Sequence, residues 1–347
     1  MNRYHPAALA ALALITVAAT AACTGPASDA KPTTVTVVTH DSFAIPDEVV
    51  ADFEARTGLK VTFAAPGDAG MLTNQLVLTK DAPLGDVAYG VDNTFASRVA
   101  DAGVFADYTS KAPAAADAAK YAVPGAANLT AVDYSDVCLN IDLGYFAEHN
   151  LTAPKTLEDL IKPEYKGLLS VSNPATSSPG LAFALETVAA FGNHWPAYWE
   201  ALRANDVKVT SSWSDTYFTD FSAPNYGGDK PIVLSYASSP PSEVIDGKPT
   251  TGALLDTCFR QIEYVGVLEG ATNPAGAQEV VDWMLSDEFQ SALPDSMYVY
   301  PVSTTAPIPP EWEKFAPLSP KPWSLTPAEI NAQRDDVIST WTATVLN

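Results

Sequence analysis

The stretch Thr34-Val35-Thr36-Val37-Val38-Thr39 is β-branched at every position. Such side chains lose little χ1 freedom in an extended chain and pack well on a pleated surface, so the stretch predicts a buried strand. Asp41-Ser42-Phe43 is the turn after it. Pro46 opens a helix with Val49, Val50 and Phe53 on one face and Gly58 as its stop. Leu59 to Ala64 reads as a second strand. Strand, helix and strand in this order make a βαβ unit. The fold class is therefore α/β, built on a parallel sheet with right-handed crossovers.

The alternation continues. Asp68 to Leu78 looks helical, and Gly85 to Tyr89 is a third short strand with Val91-Asp92-Asn93 just past its end. Ligands of open α/β sheets lie outside the carboxyl ends of strands. Asp41, Ser42, Gly67, Asp68, Asp92 and Asn93 all fall at such ends and are candidate ligand contacts.

Beyond residue 130, strands are expected at Val132 to Ile141, Leu168 to Val171, Val207 to Thr210 and Pro231 to Tyr236. Thr156 to Ile161 reads as a helix. Thr176, Ser177 and Ser178 precede a long apolar helix, Leu181 to Phe191. Free N–H groups and hydroxyls at a helix start suit an anion, and equally suit plain N-capping. Trp213, Tyr217, Phe218, Phe221, Tyr226 and Tyr236 form an aromatic concentration. Several sit at strand ends among polar residues, which favours a wet cleft whose ring faces clamp a flat or cationic ligand. Met297 to Val302 is expected to be extended, with Tyr298 and Tyr300 on one side. Ala275 to Leu293 reads as one helix, and Thr326-Pro327-Ala328-Glu329 as a capping box opening the last one.

Charge narrows the partners. Lys and Arg number 19 against 41 Asp and Glu, for a net charge of −22. No basic stripe exists to neutralise phosphates, so nucleic acid is not an expected partner. The acid excess serves solubility or a cationic ligand.

Ahead of the first strand lies an export signal. Arg3 is followed by an apolar run from Ala7 to Ala19 and then Thr20-Ala21-Ala22-Cys23. This is a secretory signal peptide over residues 1–22, too short for a comfortable membrane span. Cys after Ala-Ala resembles a bacterial lipobox, which implies a diacylglycerol on Cys23, a tether over 23–32 and anchorage at the outer face of the cell membrane. Cys138 and Cys258 remain; they either staple distant strands or are separate buried thiols. The four scattered histidines show no metal-ligand spacing.

Together these landmarks resemble the thiamine-binding substrate-binding proteins of bacterial ABC transporters. Thr39 to Phe43, Gly67-Asp68, Val91 to Asn93 and Asn173 to Leu181 carry the likeness, with Ser212 to Tyr217, Val233 to Pro240, Tyr300 to Val302 and Thr326 to Glu329. The resemblance implies a two-lobe periplasmic-binding-protein fold of type II, with two hinge strands and a ligand cleft between the lobes. Lobe one would be 33–138 plus 265–347 and lobe two 139–264. Cys138 and Cys258 would then meet on neighbouring hinge strands as a disulfide. Asp68, Ser177 and Ser178 match positions near the phosphate of a bound thiamine phosphate, and Trp213, Tyr217 and Tyr236 an aromatic lining. Tyr298 stands where relatives have Trp, and His40 where Tyr is usual. The implied partners are thiamine or its phosphates and a permease, for a monomer without cofactor, metal or catalytic residue. Two other readings share the fold: a ferric-iron binder, although no Tyr-Tyr pair occurs here, and a thiaminase-like enzyme, which needs a free cysteine in the cleft.

Overall fold

The computed structural model describes residues 33–347. The expected signal peptide, Cys23 and its tether lie outside the described residues. Eleven strands are present among them: β1 Thr34–Val38, β2 Lys60–Ala64, β3 Val87–Asp92, β4 Thr130–Asp142, β5 Leu169–Ser172, β6 Lys208–Thr210, β7 Ile232–Tyr236, β8 Val244–Ile245, β9 Lys248–Pro249, β10 Thr251–Val267 and β11 Tyr300–Pro301. β8 and β9 form a separate hairpin. The others make one sheet in the order β2-β1-β3-β10-β4-β7-β5-β6, with β11 paired to β4.

The sheet is parallel at both ends and antiparallel in the middle. β1 pairs in parallel with β2 and β3, and β5 with β6 and β7. Between these groups run β4 and β10, of 13 and 17 residues, paired antiparallel. At about 3.3 Å per residue they are long enough to pass through both halves. Cys138 and Cys258 stand opposite each other on them and form a disulfide, with Cα atoms 4.2 Å apart.

Local chemistry accounts for most element boundaries. The Asp47–Thr57 helix ends at Gly58, whose φ of 72° is the left-handed C-cap that glycine adopts without steric cost. The Thr326 capping box opens the Pro327–Val345 helix as expected. Three expectations change. The stretch Ala275 to Leu293 is two helices, Pro274–Met284 and Asp287–Met297, because the Ser286 side chain accepts the Phe289 N–H and restarts the chain. Leu157–Ile161 is a 3₁₀ turn, capped by Thr156. β3 runs on to Asp92 because β10 supplies partners for Val91 and Asp92.

Aromatic contacts hold the layers. Phe53 stacks on Trp283 at 4.6 Å, and Phe289 meets the edge of the same indole at 5.0 Å. Burying each such ring stabilises by roughly 1.5–3 kcal/mol. The last helix packs across the molecule. Its Trp341 meets Trp199 edge to face at 5.4 Å, while its Arg334 donates to Ser97 Oγ at 3.1 Å.

Candidate ligand-binding cleft

A cavity opens outside the carboxyl ends of β1, β2, β5, β6 and β7. Each strand end delivers something to it: His40 and Ser42 after β1, Asp68 after β2, Ser178 after β5, Trp213 after β6, and Tyr236 and Ser239 around the end of β7. Tyr298 closes another side.

The aromatic wall is held by its own contacts. Trp213 stacks on Tyr217 at 5.2 Å with planes 16° apart, and meets Tyr236 and Phe218 at 5.8 and 5.3 Å. Its Nε1 donates to Ser235 Oγ at 3.1 Å, which fixes the indole's orientation. Tyr226 donates its hydroxyl to buried Glu243, which also takes Asn225 Nδ2 at 2.6 Å. Tyr298 has a φ of 53°, an uncommon backbone state for an aromatic residue. It ends the Asp287–Met297 helix, so the chain from Met297 is not evenly extended. Its ring lies parallel to Trp312 at 6.5 Å, while Tyr300 stacks on Tyr134 at 5.7 Å.

Opposite the rings the lining is acidic. Asp68 caps the Ala69–Leu78 helix by accepting the Ala69 N–H at 2.5 Å and takes the Trp213 backbone N–H at 2.7 Å on its other oxygen. Burial pushes its carboxyl up to about 6 against the pull of the Trp213 N–H and the Ser177 hydroxyl. Glu263, on β10, also lines the cavity and is pushed up to about 7 by burial. His40 Nε2 lies 3.4 Å from Glu263 Oε1, and Ser42 Oγ is 2.9 Å from its Nδ1. The His40 ring rests directly on the β3 backbone. A Cβ on Gly90 would come within 2.3 Å of His40 Cδ2, and the φ of +99° there favours glycine as well. Among the described residues, no Lys or Arg lines the cavity, so its field favours a cation.

Of the sequence candidates, Ser42, Asp68, Ser178, Trp213, Tyr217, Tyr236 and Tyr298 come together in the lining. The others lie behind or beside it. Asp41 is exposed, and its N–H donates to the Gly67 carbonyl at 3.0 Å. Asp92 Oδ1 accepts from the N–H and hydroxyl of Thr94 and the N–H of Phe95. Asn93 ties β3 to β10 through Arg260 O and the Ile262 N–H. The Thr176 hydroxyl donates to Ser211 O at 2.6 Å. Ser177 Oγ caps the Ser178–Phe191 helix by accepting the Gly180 N–H, and Ser178 Oγ accepts from Gln261 Nε2 at 2.6 Å.

Sequence reasoning missed His40 and Glu263 as lining residues. Both left a signal. His40 follows β1 as closely as Asp41 does, and Glu263 is a charge set between Ile262 and Tyr264 in an apolar strand.

The sequence pattern of bacterial extracellular solute-binding proteins matches residues 82–324. A thiamine-binding periplasmic protein of Escherichia coli (strain K12) is 32% identical over 334 residues, covering 92% of this chain and 95% of the relative. Among solved structures, a periplasmic thiamin binding protein superposes with a TM-score of 0.78 at 28% identity, covering 92% of this chain and 98% of that one. Iron-bound HitA from Pseudomonas aeruginosa superposes at 0.70 with 20% identity, covering 90% and 99%. The architecture is that of the two-lobe, type II periplasmic binding proteins.

Proposed function

The chain belongs to the bacterial extracellular solute-binding protein family, and from that premise we propose that it captures thiamine outside the cytoplasm and hands it to the permease of an ABC transporter. One observation carries the choice of ligand. Trp213, Tyr217, Tyr236 and Tyr298 face the same cavity as Asp68 and Glu263, with no cationic side chain among the lining residues. Thiamine pairs a flat pyrimidine, suited to stacking, with a thiazolium cation, suited to ring faces and carboxylates. The resemblance to thiamine-binding relatives supports the same choice.

Free thiamine is the preferred form in this proposal. Ser177 Oγ and Ser178 Oγ accept from the Gly180 N–H and from Gln261 Nε2, their own hydroxyls are directed at the Asp68 and Asp92 carboxyls, and Asp68 occupies the start of the neighbouring helix. A phosphate there would meet a carboxylate instead of free donors.

The relatives are binding proteins and not enzymes. The Cys138–Cys258 disulfide leaves neither sulfur available as a thiolate nucleophile. The ferric reading has less support, since it calls for adjacent tyrosines and no Tyr-Tyr pair occurs in the sequence. The proposal extends to export, a diacylglycerol on Cys23, anchorage at the outer face of the cell membrane, and a monomeric state. Mass spectrometry of ligand released from the purified protein tests the ligand; thiamine is the expected species. Labelling with a radioactive fatty acid, lost in Cys23→Ala, tests the anchor.

A further inference from the structure

On its acidic side, the cavity is lined by Glu263, one of a row of three acids. On the sheet, Glu263 of β10 stands opposite Asp92 of β3 on one side and Asp133 of β4 on the other. Residues directly opposite on antiparallel strands present their side chains to the same face. The ladder shifts register just beyond Glu263, between Glu263 and Tyr264 against β4 and between Tyr264 and Val265 against β3. Such bulges re-aim side chains, and Glu263 is the member of the row that lines the cavity.

Two of the acids converge on one hydroxyl. Tyr89 Oη is 2.5 Å from Asp133 Oδ2 and 3.2 Å from Glu263 Oε2. A phenol has one proton to donate, so two carboxylates cannot both be satisfied by it. Asp133 is fully buried, its Oδ1 has no hydrogen-bond partner, and burial with the neighbouring Glu263 pushes it well above the usual carboxylate range. His40 Nε2, also buried, makes no hydrogen bond and lies 3.4 Å from Glu263 Oε1. Burial lowers His40, against the pull of Asp68 and Asp41.

The groups around Glu263 are therefore His40 after β1, Tyr89 and Asp92 on β3, Asp133 on β4 and Tyr236 on β7. None is Lys or Arg. Arg260, nearby on β10, is paired with Asp136. Among the described residues, no Lys or Arg pairs with these acids.

We propose that Glu263 reads the positive charge of the ligand, and that an organic cation entering the cleft displaces the proton shared between Glu263 and Asp133 into solvent. The step balances: the cation enters, one proton leaves, the cluster becomes one unit more negative, and the summed charge of cluster and ligand is unchanged. The inference rests on the thiamine reading for its ligand and adds to it a residue and a proton stoichiometry. It also explains how a buried acid row is tolerated in the empty protein, since an unpaired carboxylate there would be costly.

The test is calorimetric titration with thiamine in phosphate and in Tris, buffers of different ionisation enthalpy, from about pH 6 to pH 8. The wild-type protein is expected to give buffer-dependent heats that report net proton release, largest where the Glu263–Asp133 pair is still protonated. Glu263→Gln is expected to abolish the release and to weaken thiamine at least about tenfold. His40→Gln is expected to leave the release in place, which separates the acid pair from the imidazole as its source. Buffer-independent heats throughout the range for wild type overturn the proposal without any variant, and so does release that persists in Glu263→Gln. Thiamine binding without proton release contradicts this inference alone. No thiamine binding contradicts the function and the inference together.

Discussion

Asp68 Oδ2 accepts the backbone N–H of Trp213 at 2.7 Å, and this one bond joins the acidic side of the cleft to its aromatic side. Asp68 follows β2 at one end of the sheet and Trp213 follows β6 at the other. Close by, the Met71 N–H donates to Thr176 O at 3.0 Å, and a Cβ on Gly70 would stand 2.5 Å from the Thr176 backbone. The two halves therefore touch through backbone, with Asp68 as the charged link.

Asp68→Ala is expected to weaken thiamine binding by about 1.5–3 kcal/mol, the worth of a hydrogen bond to a charged group. Small-angle scattering of the thiamine-bound wild type should give a smaller radius of gyration than the empty protein, because a ligand touching both halves favours their approach. In Asp68→Ala the decrease should be smaller. An unchanged affinity in the variant would show the bond to be incidental to binding.

Trp213→Ala is expected to cost about 1–3 kcal/mol in thiamine affinity through the lost ring face, with Trp213→Phe retaining part of it. Thiamine should change tryptophan emission in the wild type and leave a much smaller change in either variant. Equal affinities for all three proteins would remove the stacking account.

Ser177 and Ser178 give a test of ligand form. Their oxygens accept from Gly180 and Gln261 while their hydroxyls are directed at the Asp68 and Asp92 carboxyls, so thiamine monophosphate is expected to bind more weakly than thiamine. Ser177→Ala should lower the melting temperature as lost N-caps do, by about 0.5–2 kcal/mol of stability, with equal losses for both ligands. A selective loss of the phosphate ester would instead make Ser177 an anion contact.

Glu186 offers a measure of stability against pH. Both its carboxylate oxygens are buried without partners, and burial raises its pKa well above the ordinary value. Folding therefore takes up a proton wherever the unfolded chain has released it. The parent protein loses this contribution as pH rises from the unfolded carboxylate range towards the folded pKa. Glu186→Gln needs no such uptake. Its stability gain over the parent should grow between about pH 5 and pH 8, by at most about 1.4 kcal/mol per unit. Parallel denaturation curves across that range would contradict this.

The disulfide ties β4 to β10. The double variant Cys138→Ser, Cys258→Ser should lose about 2–4 kcal/mol of stability in denaturant titrations. Two reactive thiols in the unfolded, unreduced wild type would show that the bond does not form.

Much of this was legible in the residues because it is local. The β-branched run at β1, Gly58 at a helix end and the Thr326 box fix elements through backbone and capping chemistry that involves near neighbours. What was not legible depends on tertiary pairing. The register shifts next to Glu263 exist only once β10 lies between β3 and β4. The break at Leu285–Ser286 was hidden because apolar spacing continues across it. Asp92 and Asn93 read as ligand contacts for a related reason. A polar side chain past a strand looks alike in sequence whether it meets a ligand or, as here, backbone N–H groups and a carbonyl. The aromatic concentration carried more specific information, since rings among serines at strand ends have fewer alternative uses.

The most direct measurement is a titration of the exported protein with thiamine, followed by calorimetry and tryptophan emission together. A saturable one-to-one transition in both signals is expected, with ferric iron producing no colour. The absence of any heat or emission change with thiamine and with its phosphates, alongside colour on adding ferric iron, would contradict the account.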